Sequence, residues 1–267
     1  MILAILGILS PIFAAALCYF TPLDWWWLAP VALGIFLALN ILLILFLAVV
    51  SLFFKKGIGE KPSRFCRFVV IHIMDWFHAL ANISVKLEGE ELIPKEPCLL
   101  ICNHISLLDA TTATKALRSR RISIVAKESV FRIPLVASYI RRCSFLPLDR
   151  SNPRKGLATL KQASKLMTEY GLDMLIYPEG TRSTTGELLP FKEGAFMVAK
   201  WAKAPIVVMK VEGTNKAKGR SPFRRTQVTL TVVGVIDKAQ VEGMRVAPLS
   251  DAARAIMSGT TTTEAQK

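Results

Sequence analysis

Cys98-Leu99-Leu100-Ile101-Cys102-Asn103-His104-Ile105-Ser106-Leu107-Leu108-Asp109 is the stretch that decides the fold. Its first five residues are uninterruptedly apolar and stop at a polar pair, which is how a short strand buried on both faces reads. From Leu107 to Arg118 the spacing turns helical, so the order is strand, loop, helix. The same unit recurs along the chain. Further strands are predicted at Val85–Glu88, Ile122–Ala126, Phe145–Leu148, Met174–Tyr177, Ile206–Val211 and Val228–Val235, with helices at Pro134–Arg141, Pro153–Tyr170 and Glu193–Lys203. The helix from Pro153 carries the clearest signals. Asn152 is placed to cap it, Pro153 takes the first helical position, and Gly171 stops it; Leu157, Leu160, Ala163 and Met167 are expected on its inner face. Strands alternating with helices predict an α/β layered domain with a largely parallel sheet over 85–258.

Upstream the composition changes. Residues 1–54 hold a single charged side chain, Asp24, so all 34 basic residues and all but one of the 20 acidic ones follow Phe54. That part carries one more positive charge than the +14 of the whole chain. Apolar residues make up 52% of the chain. Met1–Phe20 and Leu28–Phe54 each approach or exceed the roughly 20 apolar residues that cross a bilayer. Trp25-Trp26-Trp27 lies between them, where an interfacial belt belongs. The expectation is a membrane-anchoring helical hairpin over 1–54. Lys55, Lys56, Lys61, Arg64 and Arg67 follow it, which predicts that this end, and the domain after it, faces the cytoplasm of the cell membrane. A cleaved signal peptide over 1–20 is the rival reading; it lacks the basic start and the small-residue cleavage site. Residues 55–84 read as a basic amphipathic interfacial linker helix, through Phe65, Phe68, Val69, His72, Met74, Trp76 and Phe77. Residues 259–267 read as a flexible tail. A basic body behind an apolar anchor suits an anionic membrane surface. No nucleic-acid motif accompanies the charge, so nucleic acid is not an expected partner.

Cysteines number five, with no C-x-x-C, and Cys98 and Cys102 read as core. With three histidines in the chain, no metal site is expected. Of those three, His72 and His78 lie among apolar residues in the linker helix. His104 instead follows a strand end, where α/β folds place ligands. Five helical residues turn about 500°, so His104 and Asp109 cannot share a helix face. They meet if His104 is on the loop and Asp109 in the first turn, where the carboxylate would orient the imidazole and balance its charge. Ser106-x-x-Asp109 reads equally as a capping box, with Asp109 serving the helix start. Spacing alone leaves both readings open.

Three more strand ends carry polar groups: Lys127; Leu148-Asp149-Arg150; and Tyr177-Pro178-Glu179-Gly180-Thr181-Arg182-Ser183. One base with several cations at a common sheet edge predicts an anionic substrate with a group to be deprotonated.

Together, Asn103-His104-x4-Asp109, Leu148-Asp149-Arg150, Tyr177–Ser183 and Ala204-Pro205-Ile206-Val207-Val208 resemble, in order, the four blocks of the glycerolipid acyltransferase family, over roughly Glu88 to Val235. The 1-acylglycerol-3-phosphate O-acyltransferases are the members most similar. The resemblance implies a layered acyltransferase domain with His104 as general base on the sn-2 hydroxyl of a lysophospholipid and Asp109 as its partner. It implies substrate contacts from Asn103, Lys127, Arg150, Glu179, Gly180, Thr181 and Arg182. It further implies acyl-CoA or acyl carrier protein as the thioester donor, phosphatidate as product, and no cofactor. Pro205 belongs to the block linked to the donor or to packing. Two positions depart from the pattern: Cys143-Ser144-Phe145 stands where a glycine is common, and Val208 or Met209 where a second proline is. Acylation of another lysophospholipid or an aminolipid is the alternative; a non-catalytic lipid-binding scaffold is the alternative of another class, and it would have no need of a base.

Overall fold

The computed structural model describes residues 2–21, 24–54, 57, 61–217 and 224–259. Lys55 and Lys56, and the expected tail from residue 260 on, lie outside them. The chain forms two compact units, Met1–Lys56 and Gly57–Lys267.

In the first unit, α1 (Ile2–Phe20) and α2 (Leu28–Leu52) are the long helices, and a single helical turn at Trp25–Trp27 leads into α2. Ser10, Ala14 and Leu47 are buried. Small residues let backbones approach where there is no hydrophobic drive between helices. Elsewhere the two helices show bare apolar side chains, among them Ile12 and Leu42. Their few polar groups are satisfied within the helix: Asn40 Nδ2 donates to Phe36 O and Ser51 Oγ to Ala48 O. The segment Trp25–Leu52 is long and apolar enough to cross a membrane, with a mean hydropathy of 3.0; the Ile5–Phe20 part of α1 is shorter.

The second unit begins with α3 (Arg64–Leu80), capped by the Ser63 hydroxyl on Cys66 N. Seven strands follow: β1 (Ile83–Glu88), β2 (Leu99–Cys102), β3 (Ile122–Lys127), β4 (Leu146–Leu148), β5 (Asp173–Ile176), β6 (Ile206–Glu212) and β7 (Thr226–Ile236). Between them lie α4 (Asp109–Ala116), α5 (Val136–Arg142), α6 (Pro153–Tyr170) and α7 (Gly194–Ala202), with α8 (Lys238–Gly243) and α9 (Val246–Ser258) at the end. The sheet order is β1-β7-β6-β2-β5-β3-β4. Every neighbouring pair is parallel except β6–β7. β2 and β5 are buried at every residue, as central strands covered on both faces must be. Alternation along β2 sends Leu99 and Ile101 into a core with α6, α7 and α9, and Leu100 and Cys102 into a second core with Ala113 and Leu117.

Asn152 Oδ1 accepts from Lys155 N, and Gly171 ends α6 at φ +61°, as its sequence predicts. Leu157 departs from expectation: it is exposed, because Gly156, Ser164 and Leu166 share the inner face with Ala163 and Met167. α4 starts at Asp109, two residues later than its apolar pattern suggests. The unanticipated helices α8 and α9 pack Val241, Leu249, Ala253 and Met257 onto the sheet, and Asp237 opens α8 with a capping box to Gln240. All five cysteines are free, and Cys98 and Cys102 are core residues as expected.

Because β2, β5, β3, β4 and β6 run parallel, their C-terminal ends share one edge. β1 starts at that same edge, since Ile83 pairs with Thr226 of β7 and Glu212 of β6 pairs with Thr229.

Candidate active site

The loop 103–108 leaves β2 at this edge and returns as α4. His104 Nδ1 lies 2.7 Å from Asp109 Oδ2. The same oxygen accepts from the backbone of Ile105 and of Ser106, both at 2.8 Å, and Asp109 Oδ1 accepts from Thr214 Oγ1 at 2.6 Å. Four donors converge on one side chain that is 1% exposed. Two of the four are backbone N–H groups on Oδ2, so that oxygen is an acceptor. The imidazole must therefore carry its hydrogen on Nδ1, which leaves a lone pair on Nε2. The two sequence readings of Asp109 are thus compatible. It returns half a capping box to Ser106 N and also orients His104, while Ser106 Oγ accepts from Leu108 N rather than completing the box.

The backbone of His104 is clamped by the second motif. Its N–H donates to Glu179 Oε1 at 2.7 Å and its carbonyl accepts from Ser183 N at 2.8 Å. The Tyr177 ring stacks on the imidazole, centroids 4.4 Å apart. The Tyr177 hydroxyl is buried without a hydrogen-bond partner among the described residues, and burial drives its pKa well up. Gly180, at φ +71°, turns the loop here, and a Cβ on it would meet the stem of Lys192 at 3.5 Å.

Two of the expected substrate contacts bond to backbone. Asn103 spends its amide on the backbone of Val211, donating to the carbonyl at 3.1 Å and accepting from the N–H at 2.7 Å. It ties the reactive loop to β6. Glu179 spends both oxygens on backbone N–H groups, those of His104 and of Leu189. Burial pushes its pKa up, against the pull of those two bonds. A buried carboxylate is also a poor neighbour for a phosphate. Thr181 and Arg182 are exposed beside it, and Arg182 makes no ion pair among the described residues. Lys127 and Arg150 are likewise exposed at the ends of β3 and β4. In the strand order the loop that bears Arg182 follows β5, next to β2, while Lys127 ends β3, two strands from β2, and Arg150 follows β4, three strands from it.

Thr214 was not anticipated. It follows Gly213, which sits at φ +89° with Gln227 O only 2.5 Å from where a Cβ would stand. The signal was present: Glu-Gly-Thr occurs at 179–181 and again at 212–214, each just beyond a strand end. Beside the dyad, Asn103, Ile105, Leu188, Lys210 and Met257 line a cavity of about 200 Å³.

Several known proteins resemble this chain. A family model described as Acyltransferase matches residues 84–212. A 1-acyl-sn-glycerol-3-phosphate acyltransferase of Limnanthes douglasii is 35% identical over 151 residues, 57% of this chain and 53% of that one. The protein of that name in Bacillus subtilis strain 168 is 30% identical over 150 residues, 56% of this chain and 72% of that one. The chain thus spans about half the length of some curated relatives and nearly three quarters of another. The crystal structure of the 1-acyl-sn-glycerophosphate acyltransferase from Thermotoga maritima superposes with a TM-score of 0.58 at 24% identity, covering 83% of this chain and 88% of that one, a likeness of fold. With the first three motif blocks at one sheet edge and these relatives in view, the chain belongs to the acyltransferase family.

Proposed function

We propose that this protein transfers a fatty acyl group from a thioester to the sn-2 hydroxyl of 1-acyl-sn-glycerol-3-phosphate, forming phosphatidate. The observation that carries the reading is the His104–Asp109 pair with Nδ1 occupied and the backbone of His104 held by the loop that bears Arg182. Nε2 of His104 takes the hydroxyl proton as the oxygen attacks the thioester carbonyl. The resulting imidazolium is balanced by Asp109. As the tetrahedral intermediate collapses the C–S bond breaks, and the proton passes to the departing thiolate. The products are phosphatidate and a free thiol, with no acyl-enzyme and no cofactor. Arg182 and Lys127 hold the acceptor's phosphate, Arg182 offering a planar fork and Lys127 a point charge. Arg150 and Thr181 contribute at the rim. The thioester arm, from acyl-CoA or from acyl carrier protein, has room in the cavity beside Ile105.

Residues 1–54 anchor the enzyme in the cell membrane, and the basic residues that follow place the acyltransferase unit on the cytoplasmic face. The soluble thioester and the lipid acceptor then meet at one surface.

The test is an acceptor panel with the full chain in phospholipid vesicles. Lysophosphatidate is expected to be acylated, and His104→Ala to abolish it. Turnover of a zwitterionic lysolipid in place of lysophosphatidate would refute the acceptor; activity retained in His104→Ala would refute the mechanism.

A further inference from the structure

Each of the three histidines lies against an aromatic ring, and helix spacing explains two of the pairs. Phe68 and His72 are one turn apart on α3, and Phe77 and His78 are neighbours there, edge to face at 87°. His104 and Tyr177 are different. They come from the loops after β2 and β5, adjacent strands of the sheet. Their rings lie nearly parallel, at 28°, with centroids 4.4 Å apart.

The Tyr177 hydroxyl does not account for this contact, since it bonds to no group among the described residues. The body of the ring packs against the core that holds Cys102 and Leu175. Its backbone is fixed too: the Tyr177 carbonyl accepts from Gly180 N at 3.1 Å, and the Pro178 carbonyl from Lys192 N at 2.7 Å. The imidazole is thus laid on a wall that cannot easily move.

The bond from Nδ1 to Asp109 fixes one point of the imidazole but lets the ring swing about that line. A plane stacked on the ring removes the swing and aims Nε2. The stack also has an electrostatic side. Aromatic faces are negative, so two neutral rings prefer offset or edge contacts to lying face to face. A proton on one of them turns the contact into the attraction of a cation for an aromatic face. That gain is absent while His104 is neutral and present once it has taken the proton.

We infer that Tyr177 is a positioning residue for His104: its aromatic face holds the plane of the base and stabilises the imidazolium formed as the acceptor hydroxyl is deprotonated. This rests on the acyl-transfer reading above. The proton passes from the hydroxyl to Nε2 and on to the departing thiolate; Tyr177 neither gives nor takes one. The segment 177–183 then grips His104 at three points, Tyr177 on the ring, Glu179 on the N–H and Ser183 on the carbonyl. Asp109 balances the new charge through Nδ1 and Tyr177 across the ring face. The effect belongs in kcat, because the charge exists only beyond the bound state.

The experiment follows thiol release by the full chain in phospholipid vesicles. Tyr177→Leu is expected to lose about tenfold or more in kcat with KM for lysophosphatidate within about threefold, and Tyr177→Phe to restore most of the loss. Leucine changes volume as well as charge, so a second series keeps the shape. Phenylalanine and its singly, triply and fully fluorinated forms at 177 make the ring face progressively less negative. Over that series kcat is expected to fall stepwise, by about three- to thirtyfold in all. A flat series, a leucine loss that lies in KM, or Tyr177→Phe no better than Tyr177→Leu overturns the inference. A further measurement does not depend on turnover. In lipid nanodiscs with labelled histidine, the imidazole protons of His104, assigned by their loss in His104→Gln, are expected upfield through the ring current of Tyr177. They should return downfield in Tyr177→Leu. Their absence from that position overturns the inference and leaves acyl transfer standing. Should the unaltered chain acylate no lysophosphatidate, the acyl-transfer reading fails while the shift still decides the stack.

Discussion

Replacing Asp109 by Asn separates what its charge does from what its shape does. The amide oxygen can take the place of Oδ2 and keep the bonds from His104 Nδ1, Ile105 N and Ser106 N. The amide nitrogen then faces Thr214, whose hydroxyl can rotate from donor to acceptor. The loop and its tautomer survive; the negative charge does not. That charge stands against an imidazole 17% exposed, with its own side chain 0% exposed. Two unit charges centred about 4 Å apart attract by about 4 kcal/mol at an effective dielectric of 20. The attraction exists only once His104 has taken the proton, so it stabilises the transition state and not the bound substrate. At about 1.4 kcal/mol per factor of ten, kcat is expected to fall about a thousandfold. KM for the acceptor should stay within about threefold, since uniform binding is untouched. The assay follows thiol release by the purified full chain in vesicles, with a thermal melt to establish that the variant folds. A folded Asp109→Asn enzyme that loses less than tenfold in kcat, or whose loss lies wholly in KM, would refute the charge-balancing role.

The other expectations are briefer. Thr214→Val should cost about tenfold or more in kcat, by leaving Asp109 Oδ1 buried and unpaired, while Thr214→Ser restores most of it; equal kcat in all three enzymes would sink the positioning role. Arg182→Ala should raise KM for lysophosphatidate by about 10- to 100-fold with kcat largely kept, whereas a zwitterionic acceptor should be indifferent to it. Arg120 grips buried Asp173 by a fork, 2.7 and 2.8 Å, and also donates to the carbonyls of Pro94 and Glu96. Arg120→Ala should cost about 3–5 kcal/mol of stability in denaturant melts with the rate per folded molecule unchanged, because it strands a buried carboxylate. Burial pushes the pKa of His78 below 6.5, and its Nε2 has no hydrogen-bond partner among the described residues. The fold prefers the neutral ring, so its contribution is full above pH 6.5 and is lost as pH falls through 6.5 toward the lowered value, where the unfolded chain binds a proton that the folded one resists. Tm should therefore fall more steeply between pH 7 and 5 in the parent than in His78→Leu; parallel curves would count against it.

Much of the fold was legible because its strands are buried on both faces. A run such as Cys98–Cys102 has no polar residue to confuse it, and the turn residues after it mark its end. The helix from Pro153 carried cap, proline and stop signals that its first and last turns then obeyed. Two things were harder to read. Asp109 draws the N–H groups of Ile105 and Ser106 to itself, so the loop stays a turn through Leu108 although Leu107 and Leu108 continue the apolar pattern of α4. In α9 the inner face is Leu249, Ala253 and Met257, and a stripe with an alanine at its centre scarcely stands out from an alanine-rich segment.

At the site the limits were chemical. His104 stood out from the other two histidines by its place at a strand end, while spacing alone left its pairing with Asp109 open. For Asn103 and Glu179 the same polar groups that grip a ligand also grip backbone, and nothing in one sequence tells which. Counting donors and acceptors separates two kinds of polar group at this edge. Asn103 has a matched partner for each end of its amide on Val211, and Glu179 one for each oxygen; Arg182 and Lys127 have none among the described residues. A buried polar group that is fully paired holds the machine together, and an exposed cation left unpaired at the same edge is what remains to meet a substrate. Removing Glu179 should therefore disturb the placement of His104, and so kcat along with stability. Removing Arg182 should disturb only the grip on the acceptor. If Glu179→Ala and Arg182→Ala gave the same pattern, a KM rise with kcat and Tm intact, the division drawn here between strut and ligand contact would be wrong.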